Sequence, residues 1–198
     1  HALGEPAITY LKKERGIGDA TIIDFQVGFS PKITDALPKF LISKQGYTRE
    51  DLIKSTLVVS TGSQLIDRFH ERIIFPLRDL RGNTVGFSGR VLPSVAPRDA
   101  GKYINSPETP VYQKRRHLFG INVTRNAIKE AGFAIVVEGE LDLLSLWQAG
   151  IKNVVAIKGT AFTEDQAKLL VRLAPVAVMA LDSDAAGETA TRQGILLA

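Results

Sequence analysis

Three short runs of β-branched and small apolar residues, "FAIVV" from 133, "NVVAI" from 153 and "VAVMAL" from 176, alternate with two segments of helical character, "ELDLLSLWQAG" and "TEDQAKLLVRL". No other feature of the chain restricts its fold as much. Strands separated by helices pair in parallel rather than as hairpins, with right-handed crossovers that lay the helices on the sheet. The helix ends carry matching signals. Thr163 and Gln166 have the spacing of a capping box, and Gly150 follows the first helix at the position where a left-handed residue stops it. The pattern predicts a βαβαβ unit whose boundary falls near residue 130, in the Ala-Gly of "KEAGF".

Two of these strands run directly into acids: Glu138-Gly139-Glu140 after the first, Asp182-Ser183-Asp184 after the third. In an open parallel sheet, ligands gather beyond the carboxyl ends of the strands. Carboxylates crowded there repel, so either one takes up a proton or a hard cation neutralises them. Mg²⁺ needs only one or two carboxylates, because water and substrate phosphate complete its octahedron. Taken singly, Asp184 reads as the N-cap of a following helix and Glu140 as a first-turn acid. Asp142, one turn into the helix, is placed to hydrogen-bond the turn after "EGE". Glu138, Asp182 and Asp184 together favour a metal. A phosphoryl-accepting receiver domain would carry its acidic pair after the first strand and a lone Asp after the third, the reverse of this order. A haloacid-type phosphatase would carry D-x-D near its start, with Thr or Val where Ala186 stands.

The first two thirds of the chain differ in texture. Residues 1–131 hold 20 Lys and Arg against 13 Asp and Glu, a net of +7, whereas residues 132–198 hold 5 against 8, a net of −3. A basic part joined to an acidic part suits a protein that handles polyanions with one and cations with the other, although scattered solvated charge explains +7 equally well. "PAITYLKKERGIGDATIIDF" predicts two short helices, with Ile8, Leu11 and Lys12 on one face and Asp19 capping the second. "TREDLIKS" predicts another, capped by Thr48. Arg72–Arg78 and Thr84–Leu92 flank "DLRGN" and predict a hairpin. Pro107 and Pro110 make "GKYINSPETPVYQKRRHLFG" an irregular loop. His70 and His117 lack a second ligand at metal-binding spacing, and Trp147 sits among leucines of a helix, as a packing residue does. There is no cysteine, hence no disulfide and no thiolate zinc site, and no apolar run reaches the ~20 residues of a membrane span.

At the acids the chain resembles a known family. "EGELDLL" resembles an E-G-Y-x-D segment, "KGTAFTEDQ" a G-T segment and "LDSDAAGETA" a D-G-D-x-A-G segment of TOPRIM domains. Those acids alone are shared with topoisomerases and repair nucleases. "RIIFPLRDLRGNTVGFSGRVL" and "KYINSPETPVYQK" are similar to motifs specific to the RNA-polymerase core of bacterial DnaG-type DNA primases. The resemblance covers nearly the whole chain. It implies an α/β fold: a basic mixed α+β nucleic-acid-binding subdomain over 1–130, then a TOPRIM parallel-sheet domain over 131–198, truncated at its C-terminal end.

It also implies roles. Glu138 matches the catalytic glutamate, as metal ligand or general base. Asp182 and Asp184 match the metal-holding aspartates, and Asp142, Gly159 and Thr160 the supporting residues. Arg90, Lys102, Tyr103, Asn105 and Lys114 fall where the family contacts template or incoming nucleotide, and Arg15 in its Arg-Gly motif. The implied activity is DNA-directed RNA primer synthesis at replication. Its cofactor would be Mg²⁺ or Mn²⁺. Its partners would be a single-stranded DNA template, ribonucleoside triphosphates and the RNA primer, in the cytoplasm and away from membranes. The alternatives are another TOPRIM phosphodiester enzyme, a topoisomerase or nuclease, and a non-catalytic nucleic-acid-binding module. The sequence departs from the family at Glu140, usually aromatic, and at Ser183, usually glycine. The opening "HALGEP" and closing "GILLA" lead us to expect an excised fragment. A zinc-binding N-terminal domain, a further metal-binding aspartate and a helicase-interacting C-terminal domain are then expected outside it, with little or no polymerisation by the fragment alone.

Overall fold

The computed structural model describes residues 2–94, 101–158 and 161–182. Their elements, in chain order, begin with α1 (Glu5–Thr9), which continues into a π turn over Tyr10–Glu14, α2 (Asp19–Asp24), β1 (Gly28–Ser30), α3 (Ala36–Gln45) and α4 (Arg49–Lys54). Next come β2 (Val58–Thr61), β3 (Gln64–Asp67), β4 (Arg72–Arg78), β5 (Thr84–Val91), β6 (Tyr103–Asn105) and β7 (Leu118–Phe119). The remainder is α5 (Ile121–Ala131), β8 (Phe133–Val137), α6 (Glu140–Gln148), β9 (Val154–Ile157), α7 (Glu164–Val171) and β10 (Val176–Met179). These elements form two compact units that interleave along the chain. The described residues of His1–Tyr10, Val27–Phe75 and Phe87–Pro107 make the first; those of Leu11–Gln26, Pro76–Gly86 and Glu108–Ala198 make the second.

One sheet runs in the order β1-β4-β5-β6, and of its two inner strands Arg72–Phe75 and Phe87–Val91 belong to the first unit. β1 and β6 pair antiparallel with β4 and β5, Phe29 opposite Ile73 and Tyr103 opposite Arg90. β4 alternates as a strand with one covered face should: Ile73, Phe75 and Leu77 are fully buried while their neighbours are half-exposed. Pro76 lies beyond the β1 pairing, which ends at Ile74. The β2–β3 ribbon packs Val58 and Leu65 against Leu52 of α4. α4 starts as expected, with a capping box in which the Thr48 hydroxyl accepts the Asp51 N–H and Asp51 accepts the Thr48 N–H. α1 turns its apolar stripe otherwise than expected: Ala7, Tyr10 and Leu11 are buried, and Ile8 is exposed.

The second unit contains the βαβαβ unit. Its sheet runs β10-β8-β9-β7, with β8 parallel to both β9 and β10. β7 joins antiparallel at the edge beside β9, a two-residue strand too short to leave a periodic signal. β9 is buried throughout, which is why "VVAI" is continuously apolar rather than alternating. Leu118, Ile121, Ile128, Val136, Val155 and Phe162 form the centre of the core. The Thr163–Gln166 capping box opens α7, and Gly150 ends the turn after α6 at φ 91°. α2 corrects one expectation. Its N-cap is Gly18, and Asp19 is already helical. The Asp19 carboxylate pairs instead with Lys12, 2.7 Å away, and the Gly18 N–H is taken by the Gln148 side chain.

Candidate active site

β8 and β10 are adjacent and in register, Val136 opposite Met179. The residues that follow them therefore leave the sheet along one edge. There the Glu138 carboxylate accepts the Asp182 backbone N–H at 3.2 Å. Glu138 is half-buried and Asp182 exposed. Asp142, in the first turn of α6, bends its carboxylate back onto the Gly139 N–H at 3.0 Å. That is half of a capping box, since glycine has no side chain to complete it. Burial of this carboxyl, then the nearby charges of Asp182 and Glu140, push its pKa above the usual carboxylate range, against the Gly139 hydrogen bond and the positive charge of Arg15. The rim thus brings Glu138, Asp142, Asp182 and Arg15 into one electrostatic neighbourhood. Its donors are hard oxygens, the kind Mg²⁺ or Mn²⁺ takes. Among the described residues no three His, Cys, Asp or Glu side chains are close enough to hold a metal. Asp184, Gly159 and Thr160 lie outside the described residues.

Behind the rim is a buried pair that sequence reasoning missed. Glu140 is a first-turn acid, as expected, but it is buried and ion-paired with Lys158 at the end of β9, both side chains 4% exposed. Burial lowers the pKa of Lys158, Glu140 opposes the shift, and Lys114 adds to it. His117 is held at about 4, by burial first and then by Lys158, with Glu140 and Asp79 opposing. Burial, then Glu108 and Glu140, raise the Tyr112 hydroxyl above its ordinary value. Near neutral pH the His117 ring and the Tyr112 hydroxyl are therefore uncharged. The sequence signal for this cluster was slight: a lysine directly before the G-T segment, and an acid where the family has an aromatic.

The expected nucleic-acid contacts divide between the units. Arg15 and Lys114 belong to the second, both exposed, Lys114 in a 3₁₀ turn with Arg115 and Arg116. The Lys114 N–H is held by the Glu108 carboxylate at 2.7 Å. Arg90, Lys102, Tyr103 and Asn105 belong to the first. Lys102 is exposed, Tyr103 and Asn105 half-buried. Arg90 is buried at 4% exposure. It donates to the Tyr10 hydroxyl from Nε and Nη2 at 3.1 and 2.7 Å, and to the Tyr103 hydroxyl from Nη1 at 2.9 Å. Its guanidinium also lies 5.1 Å from the Tyr103 ring centre. Trp147 is a packing residue, edge-on to Phe25 at 5.3 Å and donating to Asp24.

Comparison with known proteins places this geometry in context. Residues 1–125 match the family described as the N-terminal domain of the DNA primase catalytic core, and residues 135–198 match the Toprim-like family. The chain is 44% identical over 182 residues to a DNA primase of Clostridium acetobutylicum, covering 91% of this chain and 29% of that protein. It is similar to the E. coli primase catalytic core at a TM-score of 0.86 and 35% identity, over 98% of this chain and 61% of that one. It is equally similar to a DnaG primase catalytic domain bound to single-stranded DNA, at a TM-score of 0.85 and 35% identity, over 98% and 59% of the two chains. The chain spans under a third of the length of the curated relatives it matches.

Proposed function

This chain belongs to the DnaG-type DNA primase family, carrying catalytic-core and Toprim sequence, and from that membership we propose that the protein it represents synthesises RNA primers on a single-stranded DNA template at replication. The observation that carries the proposal is the meeting of Glu138 with Asp182 across adjacent parallel strands. It places two acids at the strand ends where a phosphate-bearing ligand is received. The match of residues 1–125 to a primase-specific domain supports this reading over a topoisomerase or nuclease. The division into a basic part over 1–130 and a Toprim part over 131–198 is proposed on the same grounds.

The reaction is nucleotidyl transfer. The primer 3′-hydroxyl oxygen bonds to the α-phosphorus of a ribonucleoside triphosphate, the bond to the bridging oxygen breaks, pyrophosphate leaves, and the hydroxyl proton passes to a base or to water. Glu138, Asp182 and Asp184 are the residues that would hold a divalent cation, Mg²⁺ or Mn²⁺. Such an ion, when bound, lowers the pKa of the attacking hydroxyl and offsets charge on the transferring oxygens. Asp142 keeps the turn after Gly139 in place and so orients Glu138. Arg15 offsets the negative charge of the rim. Lys102 and Lys114 contact strand or triphosphate phosphates, and Asn105 hydrogen-bonds the strand. Tyr103, oriented by Arg90, offers a stacking face to a base. Gly159 and Thr160, outside the described residues, are supporting residues by their match to the G-T segment. A replicative helicase, and a zinc-bearing domain that reads the template, are proposed as partners of the whole protein.

Template-directed RNA synthesis by the full-length protein tests the assignment. Glu138→Gln should reduce turnover by at least about 10²-fold with an unchanged melting temperature. Wild-type turnover would remove Glu138 from the mechanism.

A further inference from the structure

A cavity of about 400 Å³ lies in the second unit, between the turn joining β4 to β5, the 110–117 loop and the faces of α5 and α7. Among the described residues, none of the rim acids lines it. Three cations do: Arg78, Arg81 and Arg116. None of the three forms an ion pair with a carboxylate among the described residues. Arg78 donates to the Gln26 side chain and Arg116 to Gln113 at 3.5 Å, both neutral groups. The one acid in the lining, Asp79, is committed to its own turn. It accepts from the Arg81 and Asn83 N–H groups and the Asn83 amide, each at 2.9 Å.

Three lining residues also hold buried polar atoms that have no hydrogen-bond partner among the described residues: Arg78 Nε, Tyr112 Oη and His117 Nε2. Tyr112 is 1% and His117 7% exposed. Leaving such a group unsatisfied costs on the order of 1–3 kcal/mol, so three beside one cavity are seldom kept without a reason. Much of the remaining lining is apolar, including Leu80, Val85, Pro110, Val111 and Leu169. Val111 is 70% exposed.

We propose that this cavity is a second nucleotide-binding site, taking a phosphate on Arg78, Arg81 and Arg116 and a base against its apolar lining residues. Guanidinium groups bind phosphate through paired hydrogen bonds and also stack on bases. A bare inorganic anion has no use for an apolar lining, and the volume is within the range of small-molecule sites, about 300–1,000 Å³. The nucleotide arrives either as a unit of a single strand or as a free nucleotide.

The test uses the full-length protein, with fluorescence anisotropy of a labelled oligothymidylate and of labelled ADP at fixed salt. The Arg81→Ser/Arg116→Ser double variant should weaken at least one of the two about tenfold. Loss for the oligonucleotide, with a shallower salt slope, identifies a strand site; loss for ADP identifies a free-nucleotide site. Tyr112→Phe, which removes only the hydroxyl, should weaken the same probe. The fold loss caused by the double variant should be the same in a Glu138→Gln background as in wild type, which separates this site from the rim. Unchanged affinity for both probes in the double variant overturns the proposal. So does displacement of the bound probe by polyglutamate as efficient as by unlabelled nucleotide, which would make the cavity a seat for an acidic peptide.

Discussion

Glu140 shows how much a single position can differ from its sequence context. In the resembling segment this position is aromatic. Here an acid occupies it, buried and paired with Lys158, eighteen positions along the chain. A buried ion pair is a poor source of net stability, because desolvation of both charges offsets their attraction. Removing one partner is costly, since the other charge stays behind. Lys158→Met should therefore destabilise the protein by about 3–5 kcal/mol in urea unfolding. Glu140→Gln/Lys158→Met should be clearly less damaging than Lys158→Met alone. A loss in the double variant equal to the sum of the losses in Glu140→Gln and Lys158→Met would show that the two side chains do not interact. Glu138 and Asp142 could be singled out from sequence because glycine and strand end fix their surroundings locally. Lys158 could not, since its partner is chosen by β9 lying beside β8.

Helices and strands were legible where their signals are local. The limits of β4 and β8 coincide with the apolar runs that predict them, and Thr48 and Thr163 cap as their spacing requires. β7 was not legible, because its two residues pair only with β9. The start of α5 depends on packing in the same way. Gly120, its N-cap, has φ 83°, and a Cβ there would lie 2.6 Å from Leu143 Cδ1 of α6. Leu143 is fully buried and cannot swing away. Gly132, at the other end of α5, has φ 74° but nothing within 4 Å of a Cβ. Gly120→Ala should cost about 2–4 kcal/mol, from backbone strain plus overpacking, against about 1 kcal/mol for Gly132→Ala, from strain alone. Urea midpoints of the two variants check this, and equal losses would discount the Leu143 contact.

Over the whole chain, charge and compact units do not follow the same division. The excess of Lys and Arg ends near residue 131, whereas the two units interleave and share the expected nucleic-acid residues between them. Lys102, exposed in the first unit, is expected to act through phosphate charge alone. Lys102→Ala should weaken binding of a single strand and make the slope of log K against log salt shallower by about 0.7. A slope equal to wild type would count against a phosphate contact there. Arg90 is the counterexample in the same unit: composition counts it as surface charge, but two tyrosine hydroxyls hold it inside. Apolar periodicity, caps and glycines at turns depend on residues a few positions apart, so the parallel βαβαβ unit and the strand-end acids could be read from the chain alone. The order β10-β8-β9-β7, the Glu138–Asp182 contact, the Glu140–Lys158 pair and the burial of Arg90 depend on which distant residues come to share a neighbourhood. Only packing of the folded chain selects those partners.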